Sequence, residues 1–421
     1  MVADIVNSHP SIKYVIASAP GKIEANGEKI TDLLYCCYNC KKSNQDYKES
    51  FYKIQRRFDG IVRELNLKYN VTKDLEEIMQ SLEIGCEEDY FVSRGEYISG
   101  KILAEYLGFD FIDAKDVIFF NDEGELDINK TEKEMKTAFR YTGKAVIPGV
   151  YGSCKGEIKT FTRGGSDITG SVVSLVAKAN VYENWTDVDG FLKADPRIIK
   201  NPKKIDVLTY KELRELSYMG ANVLHDEAVF PAKDGNIPIN IKNTFFPKGR
   251  GTFIVDRVSE DEDSKPVDIT GISGKKNYTV FNICKSNMAN KVGNIKNAAD
   301  VFSKRNIVIQ HIPTGIDTFS IICSSSEVKG MEEEIKKDLH ESCKPDKVSI
   351  YDNIALIAVV GRGMVSKTGA LRRIFGALEK QGIEIIIVSL SISNLNVIIG
   401  VRNEDFETCI ERIYNEFTIE D

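Results

Sequence analysis

The pattern of hydrophobic and polar positions alternates along this chain between the period of a strand and the period of a helix. Short apolar runs over 12–17, 145–150 and 237–241 are typical of buried strands. Apolar residues three or four positions apart predict helices instead, over 51–79, 97–107, 168–179 and 210–219. Because strands alternate with helices, we predict an α/β fold with a mostly parallel sheet and a site along its carboxyl edge.

A glycine-rich turn between a β-prone run and a helix is the most informative stretch. It reads Arg163-Gly164-Gly165-Ser166-Asp167, and Ser166 or Asp167 is the expected N-cap of the helix. Unpaired backbone N–H groups and the helix dipole make such a turn a potential anion site. The planar guanidinium of Arg163 suits a carboxylate or a phosphate. The alternative is a capped surface turn without a ligand.

Other polar positions stand next to predicted strands and helices. Glu96 follows a glycine at the start of the helix over 97–107, where a carboxylate can hold an ammonium group. The alternative for Glu96 is a surface residue that complements the helix dipole. Thr31 or Asp32 is the expected cap of another helix. Thr186 and Asp187 end the strand that follows the glycine-rich helix.

The C-terminal part contains an internal repeat. An acidic segment over 259–266 ends in proline and reads as a linker. Behind it, residues repeat at a constant offset of 76 positions, as Met288 and Gly293 do with Met364 and Gly369. Each copy predicts strand, glycine turn, helix and strand, so we expect paired regulatory or dimerisation modules rather than a second catalytic domain.

A run over 361–368 resembles a P-loop but lacks its second glycine, since Ser366 stands there. Too few residues follow it for the remaining strands of a P-loop domain. We therefore do not expect nucleotide binding at this run.

Composition narrows the class of protein. A chain of 421 residues predicts two to four domains, and the net charge of −7 argues against a nucleic-acid partner. The sequence has no apolar run of membrane-spanning length and no signal peptide, so we expect a cytoplasmic protein without a membrane partner. The nine cysteines read as reduced thiols. Cys36, Cys37 and Cys40 lack a second ligand pair, so no metal site is expected there.

Taken together, the stretches over 160–169, 185–190, 195–197 and 223–225 and the two repeats resemble the aspartokinase family. The resemblance is to the lysine-sensitive monofunctional type. It implies an amino-acid-kinase-type, mostly parallel sheet sandwiched by helices, followed by two ferredoxin-like βαββαβ ACT domains. The implied domains are a kinase domain over 1–258, a linker over 259–266, a first ACT domain over 267–345 and a second over 346–421.

The resemblance also implies an activity. Aspartokinases phosphorylate the β-carboxylate of L-aspartate with ATP and Mg²⁺, giving 4-phospho-L-aspartate in the first step of lysine, threonine and methionine biosynthesis. Lysine is the implied allosteric inhibitor, and the implied assembly is a homodimer or a dimer of dimers through the ACT domains. The nucleophile is already a carboxylate, so catalysis needs positioning and charge neutralisation rather than a general base.

The family's roles fall on named positions of this sequence. The implied catalytic residues are Arg163 and Asp167, of which Asp167 would orient a catalytic lysine. The implied substrate-binding residues, with Glu96 on the α-ammonium group, are Thr31, Glu96, Arg163, Gly164 and Ser166. The implied nucleotide-binding residues are Thr186, Asp187, Leu192, Asp195, Pro196, Arg197, Asn222 and Val223. The implied effector-binding residues are Met288, Lys291, Gly293, Asn294, Ile295, Val308, Ile309, Gln310 and Thr314.

Three departures from the family pattern are visible. The family opens with a strand and a glycine-rich phosphate loop, which this sequence does not show before Val2, and we expect the natural polypeptide to extend upstream. Asn222 stands where many members have lysine, and Leu192 where many have tyrosine. Gln310 stands where an acidic residue often holds the effector's amino group.

Two other interpretations stay open at this point. One is another amino-acid kinase, such as a glutamate 5-kinase. The other is a non-catalytic amino-acid sensor that keeps a degenerate kinase body as a scaffold for its ACT domains.

Overall fold

The computed structural model of the chain describes most of its residues. These are residues 1–22, 27–162, 164–221, 224, 226–258, 269–288, 292–362, 364, 369–390 and 395–418. They form two compact units, one of residues 1–190 with 223–256 and one of residues 191–222 with 257–421. Residues 191–222 therefore belong to the second unit, although the predicted kinase domain includes them.

The helices, in chain order, are α1 (Val2–Ser8), α2 (Ile30–Lys42), α3 (Lys48–Glu64), α4 (Val71–Glu83), α5 (Glu88–Val92), α6 (Arg94–Leu107), α7 (Ala114–Val117), α8 (Ile128–Phe139), α9 (Gly165–Ala177), α10 (Tyr210–Tyr218), α11 (Val229–Asp234), α12 (Asn294–Ser303), α13 (Ser325–Val328), α14 (Glu332–Cys343), α15 (Ala370–Glu379) and α16 (Phe406–Thr418). Short 3₁₀ turns cover Asp226–Ala228 and Asn403–Asp405.

The strands are β1 (Tyr14–Ala17), β2 (Asp110–Phe111), β3 (Ala145–Pro148), β4 (Tyr151–Cys154), β5 (Glu157–Thr160), β6 (Tyr182–Thr186), β7 (Val207–Thr209), β8 (Ile239–Asn243), β9 (Thr252–Val255), β10 (Gly271–Cys284), β11 (Ile309–His311), β12 (Thr318–Ser324), β13 (Lys347–Val360), β14 (Ile387–Leu390) and β15 (Asn396–Arg402).

Parallel strands form the sheets of the first unit that carry the site. Strand β3 lies between β1 and β2 and is parallel to both, with Ala17 opposite Pro148. Strand β6 runs parallel to β8, and β9 pairs with β8 in the antiparallel sense. All four residues of β3 are buried, as expected for a strand covered on both faces. The predicted α/β fold with a mostly parallel sheet is therefore present.

Helices α2 to α6 of the first unit enclose a core of their own. Leu34, Ile54, Phe58, Leu75 and Phe91 are all buried in it. The charged helical segment over 51–79 is thus a packed layer, formed by α3 and α4, with its polar residues turned outward. Burying each of these large side chains contributes about 1.5–3 kcal/mol.

Two predicted helix caps differ from the structure. Helix α9 begins at Gly165 and its N-cap is Gly164, which has a left-handed φ of 60°, so neither Ser166 nor Asp167 is the cap. Helix α2 begins at Ile30 with Lys29 as its N-cap, which places Thr31 in the first turn. In both helices the N-cap lies two or three residues earlier than the side-chain preference for capping predicts.

The second unit is built on a six-stranded sheet in the order β11-β12-β10-β13-β15-β14. The two long strands β10 and β13 are antiparallel, with an irregularity between Lys275 and Tyr278. One core lies around Phe281 and Phe302, and a second lies around Ile357. The two copies of the repeat both show the predicted order of strand, glycine turn, helix and strand. The boundaries proposed for the two ACT domains stay predictions.

Within the described part of the chain, no helix is both long enough and apolar enough to cross a membrane. All nine cysteines are free thiols.

Candidate active site

The predicted site lies at the carboxyl edge of β1 and β3. The backbone N–H of Gly149, just after β3, donates a hydrogen bond to the carbonyl of Ala17 at the end of β1, at 2.8 Å. A β-carbon at position 149 would stand 2.4 Å from the Ser166 hydroxyl oxygen. The first turn of α9 therefore lies directly against the end of the sheet.

The loop that holds this helix start has an unusual backbone. Val150 has a φ of 80°, which is rare for a β-branched residue. Its carbonyl accepts a hydrogen bond from the N–H of Phe161 at 2.8 Å. Backbone conformations of this kind are found where the surrounding structure enforces them, often at functional sites. Among the described residues no side chain caps α9. Arg163 lies outside the described residues.

Glu96 is a buried carboxylate in the first turn of α6. Only 3% of its surface is exposed, and its Oε2 atom has no hydrogen-bond partner within the described part of the chain. Burial raises the pKa of Glu96 to about 7, while the backbone N–H groups of Glu96 and Ala19 and the charge of Arg94 oppose the rise. A buried carboxylate with an unpaired oxygen is costly unless a cation or a donor completes it. The geometry thus fits an ammonium subsite.

Arg94, two positions before Glu96, was not recognised as a site residue from the sequence. Its guanidinium carbon lies 4.6 Å, 4.7 Å and 5.1 Å from the ring centroids of Tyr90, Tyr97 and Tyr151, and the residue is 5% exposed. Its Nε donates to the carbonyl of Tyr90 at 3.1 Å, and its Nη2 donates to the Ser93 hydroxyl at 2.9 Å. Cation–π contacts of this kind stabilise a buried guanidinium. The sequence signal that could have indicated this role of Arg94 is the pair of nearby tyrosines, Tyr90 and Tyr97.

Thr31 lies close to the same place. A β-carbon on Gly95 would stand 3.2 Å from the side chain of Ile30, the residue before Thr31. The N–H of Ile30 donates to the carbonyl of Pro20 at 3.3 Å. The structure therefore brings the starts of α2 and α6 together, with Thr31 half-buried between solvent and the helix layer.

Asp167 lies in the first turn of α9, on the side that faces β6. Its Oδ1 atom accepts a hydrogen bond from the Nδ2 of Asn184 at 2.8 Å. Asn184 is a second site residue that the sequence does not predict, because a single asparagine within a strand forms no recognisable motif.

The predicted nucleotide-binding residues fall into two groups. In the first unit, the Thr186 hydroxyl donates to Oδ1 of the exposed Asp187 at 3.2 Å, at the end of β6. In the second unit, the Arg197 N–H donates to Oδ1 of Asp195 at 2.8 Å, and the Arg197 guanidinium holds the pKa of Asp195 below its usual range. Leu192 in the second unit is half-buried.

Pro196, also in the second unit, is exposed, and Asn222 and Val223 lie outside the described residues. That the two groups form one pocket stays a prediction.

The predicted effector residues lie around the start of α12. Gly293 is its N-cap, with a φ of 89°, and the Nδ2 of Asn294 donates to the carbonyl of the buried Met288 at 3.4 Å. The Nζ of Lys285 donates to Oδ1 of Asn294 at 2.9 Å. Ile295 is 41% exposed. These residues form one cluster, to which Lys285 is a new addition.

The remaining effector residues lie on or beside β11. Val308 and Thr314 are exposed, Ile309 pairs with Cys323, and Lys291 lies outside the described residues. The Oε1 of Gln310 accepts a hydrogen bond from the hydroxyl of Tyr218, at 2.7 Å. Gln310 is therefore already engaged by α10, which the sequence argument did not foresee.

Comparisons with known proteins agree with this fold. The profile described as "Amino acid kinase family" matches residues 29–243, and a profile described as "ACT domain" matches residues 357–417. The chain is thus an amino acid kinase followed by an ACT region.

The aspartokinase 3 of Bacillus subtilis (strain 168) is 31% identical over 432 residues, covering 99% of this chain and 94% of the relative. The crystal structure of aspartate kinase from Clostridium acetobutylicum is similar with a TM-score of 0.89 and 43% identity, covering 99% of this chain and 95% of that one. The chain belongs to the aspartokinase family, and it is a kinase. The Escherichia coli aspartokinase III, solved in complex with aspartate and ADP, shares the fold, with a TM-score of 0.77 at 24% identity over 99% of this chain and 95% of that one.

Proposed function

We propose that this kinase binds L-aspartate at the carboxyl edge of β1 and β3 and transfers the γ-phosphoryl group of ATP to its β-carboxylate. The observation that carries the proposal is the buried Glu96, whose Oε2 has no hydrogen-bond partner among the residues that the structure describes and so suits the α-ammonium group of an amino acid. The start of α9 with Gly164 and Ser166 lies at the same edge and offers N–H groups to a carboxylate. Thr31 and Arg163 complete the proposed aspartate site.

The proposed chemistry needs little from the protein beyond placement. The β-carboxylate attacks the γ-phosphorus, the bond from phosphorus to the bridging oxygen of ADP breaks, and an acyl phosphate forms. No proton has to be removed from the nucleophile, so this reaction requires no catalytic histidine or cysteine. Asp167 is the proposed orienting group for a catalytic cation.

ATP is the proposed phosphoryl donor, held by Thr186, Asp187, Asp195, Pro196 and Arg197 with Leu192, Asn222 and Val223. Mg²⁺ belongs to the substrate as MgATP, since it bridges the phosphates and neutralises their charge. Among the residues that the structure describes, no group of three His, Cys, Asp or Glu side chains could hold a metal by itself.

We also propose that lysine inhibits the enzyme by binding beside α12. The carboxylate of lysine would lie at the helix start near Gly293 and Asn294, and an amino group would face Gln310 on β11. Binding there would change the kinase activity by shifting an equilibrium between two conformations. Pairing of the C-terminal repeats between two chains is the proposed route to a homodimer. With lysine as the end product, the enzyme would catalyse the first step of lysine, threonine and methionine biosynthesis.

A coupled ADP-release assay with L-aspartate and MgATP tests the activity. L-glutamate and D-aspartate serve as controls, because a glutamate 5-kinase would prefer the former and a stereospecific ammonium subsite rejects the latter. Arg163→Ala should raise the KM for aspartate about tenfold to a hundredfold, since a bidentate contact to a charged group is lost. Asp167→Ala should lower kcat with little change in KM. A folded wild-type protein that binds amino acids but releases no ADP would favour the sensor interpretation instead.

A further inference from the structure

Strand β6 turns two different faces to its surroundings. Successive side chains of a strand point to opposite faces. Tyr182 and Asn184 lie on the face toward α9, where both reach Asp167. Glu183 and Trp185 lie on the other face, where the Nζ of Lys242 stands 3.8 Å from the Glu183 carboxylate and 4.7 Å from the Trp185 ring centroid. An amide on the helix-facing side of a strand occupies a position where an apolar residue would pack more simply.

Tyr182 fixes how closely α9 approaches this strand. A β-carbon on Gly170 would stand 2.6 Å from the Tyr182 hydroxyl oxygen, so the helix lies directly on the ring. The hydroxyl reaches the carbonyl of Asp167 at 3.4 Å, as donor. Burial raises the pKa of Tyr182 far above its usual value, so the phenol keeps its proton.

The amide of Asn184 is held by two partners at once. Its Nδ2 donates to Oδ1 of Asp167 at 2.8 Å and to the Tyr182 hydroxyl at 3.0 Å. An amide nitrogen has two protons, and both are used here. The reverse orientation would bring the amide oxygen against the carboxylate oxygen, so the network fixes the nitrogen on this side.

We propose that Asn184 is a positioning residue that holds the Asp167 carboxylate in the orientation needed for phosphoryl transfer, with Tyr182 as its support. This inference rests on the proposed role of Asp167. A neutral donor fixes one carboxylate oxygen without cancelling the negative charge of Asp167, so the carboxylate can still attract a cation. A donor to a carboxylate also stabilises its ionised form.

The titratable groups that face Asp167 determine how a change in the pH profile of kcat can be interpreted. Tyr182 is the titratable group on β6 that faces Asp167, and Glu183 lies on the opposite face of the strand. On α9 itself, Ser166 lies against Gly149. Helix α11 meets α9 one turn further along, where the N–H of Ala232 donates to the Ser171 hydroxyl at 2.9 Å.

Two substitutions test the inference. Asn184→Leu removes the donor at similar volume and should lower kcat about tenfold to a hundredfold, while KM for aspartate and for MgATP changes by less than about twofold. Asn184→Asp keeps the shape but sets a second carboxylate against Asp167. Two carboxylates this close cannot both ionise readily, so the acidic limb of the kcat–pH profile should move to higher pH.

The matched control is Glu183→Gln, one residue away on the opposite face, which should leave kcat and its pH profile unchanged. Thermal denaturation of each variant reports folding. If Asn184→Leu fails to fold, the pH profile of Asn184→Asp by itself tests the positioning role of Asn184. Wild-type kcat and an unmoved acidic limb in Asn184→Asp would overturn the positioning role while leaving the proposed function intact. A wild-type enzyme without aspartate-dependent ADP release would overturn both.

Discussion

Gly149 approaches Ser166 so closely that a β-carbon at position 149 would stand 2.4 Å from the Ser166 hydroxyl oxygen and 2.9 Å from its Cα. Separations under 3.0 Å are essentially never observed for real β-carbons, so something must shift if a side chain is added. The atoms in the way include backbone of α9, which cannot rotate aside. The edge of the sheet and the helix start are therefore fixed against each other at the proposed aspartate site.

Gly149→Ala should push the start of α9 away from the sheet. We expect kcat/KM for aspartate to fall by at least about tenfold, and the free energy of unfolding to fall by about 1–3 kcal/mol because of overpacking. Steady-state kinetics and thermal denaturation measure the two effects.

The matched control is Gly60→Ala in α3, where nothing lies within 4 Å of the added β-carbon. That change should stabilise the helix by up to about 1 kcal/mol and leave the kinetics unaltered. Normal kinetics in Gly149→Ala would contradict this account of the site.

Glu96 should make aspartate binding depend on pH near neutrality. Its pKa is raised to about 7 in the folded protein, and the substrate ammonium group prefers the ionised carboxylate. The KM for aspartate should therefore fall as pH rises through about 7 and level off above it. Glu96→Gln should abolish this limb and raise KM about tenfold to a hundredfold. The control is Glu76→Gln, an exposed residue of α4. A pH-dependent KM that persists in Glu96→Gln would assign the titration to another group.

The Glu96 carboxylate should also make the stability of the protein depend on pH. Aspartate binding should improve as pH rises, whereas the free energy of unfolding should fall. A carboxyl whose pKa is raised on folding stabilises the folded state fully below its unfolded value of about 4.5, and that contribution is lost as pH rises through about 7. The free energy of unfolding of the wild type, compared with Glu96→Gln, should therefore fall by about 3 kcal/mol across this window. Urea denaturation of both proteins at pH 4.5, 6 and 8 measures the difference. Parallel stability curves would show that Glu96 is ionised and well compensated without substrate.

Arg94 should keep Glu96 more acidic than burial alone would make it. Arg94→Met removes the cation among Tyr90, Tyr97 and Tyr151 but keeps an unbranched side chain in the space. The midpoint of the KM–pH profile for aspartate should then move above its wild-type value, because a favourable charge near Glu96 is lost. Arg94→Lys keeps the charge but not the planar stacking, so it should restore most of the midpoint. An identical midpoint in all three proteins would reduce Arg94 to a packing role.

Gln310→Glu should tighten inhibition by lysine. A carboxylate at this position supplies a charge for an ammonium group and can still accept the hydrogen bond from the Tyr218 hydroxyl, now at 2.7 Å to Gln310. Tyr218→Phe serves as the control, since it removes that hydrogen bond without adding charge. Lysine inhibition curves and calorimetry measure both variants. Unchanged inhibition in Gln310→Glu, together with no heat of lysine binding, would remove the proposed effector site.

Local sequence patterns were sufficient to predict these helices and strands and the internal repeat. The apolar run predicted over 145–150 contains the buried parallel strand β3 at Ala145–Pro148, and within the glycine-rich stretch Gly164 does lead into a helix. The matching glycines at 293 and 369 both begin helices, with φ of 89° and 100°. Each of these features depends on residues within a few positions of one another, so periodicity and turn chemistry are enough to predict them.

Helix starts were less predictable. Gly164, rather than Ser166 or Asp167, is the N-cap of α9, and a β-carbon on the next residue, Gly165, would stand 2.7 Å from the Cα of Val150. This helix start has no local signal, since it depends on which distant segment the chain meets.

The chemical state of the site comes from the folded chain alone. The sequence places Glu96 after a glycine at a helix start, but its burial, and its oxygen without a hydrogen-bond partner among the described residues, arise only in the folded chain. Arg94 is held partly by Tyr151, and Asp167 by Asn184, residues far from them along the chain. Periodicity reports which face of an element is buried, whereas the pKa and orientation of a carboxylate depend on atoms that only tertiary packing brings within about 3–6 Å.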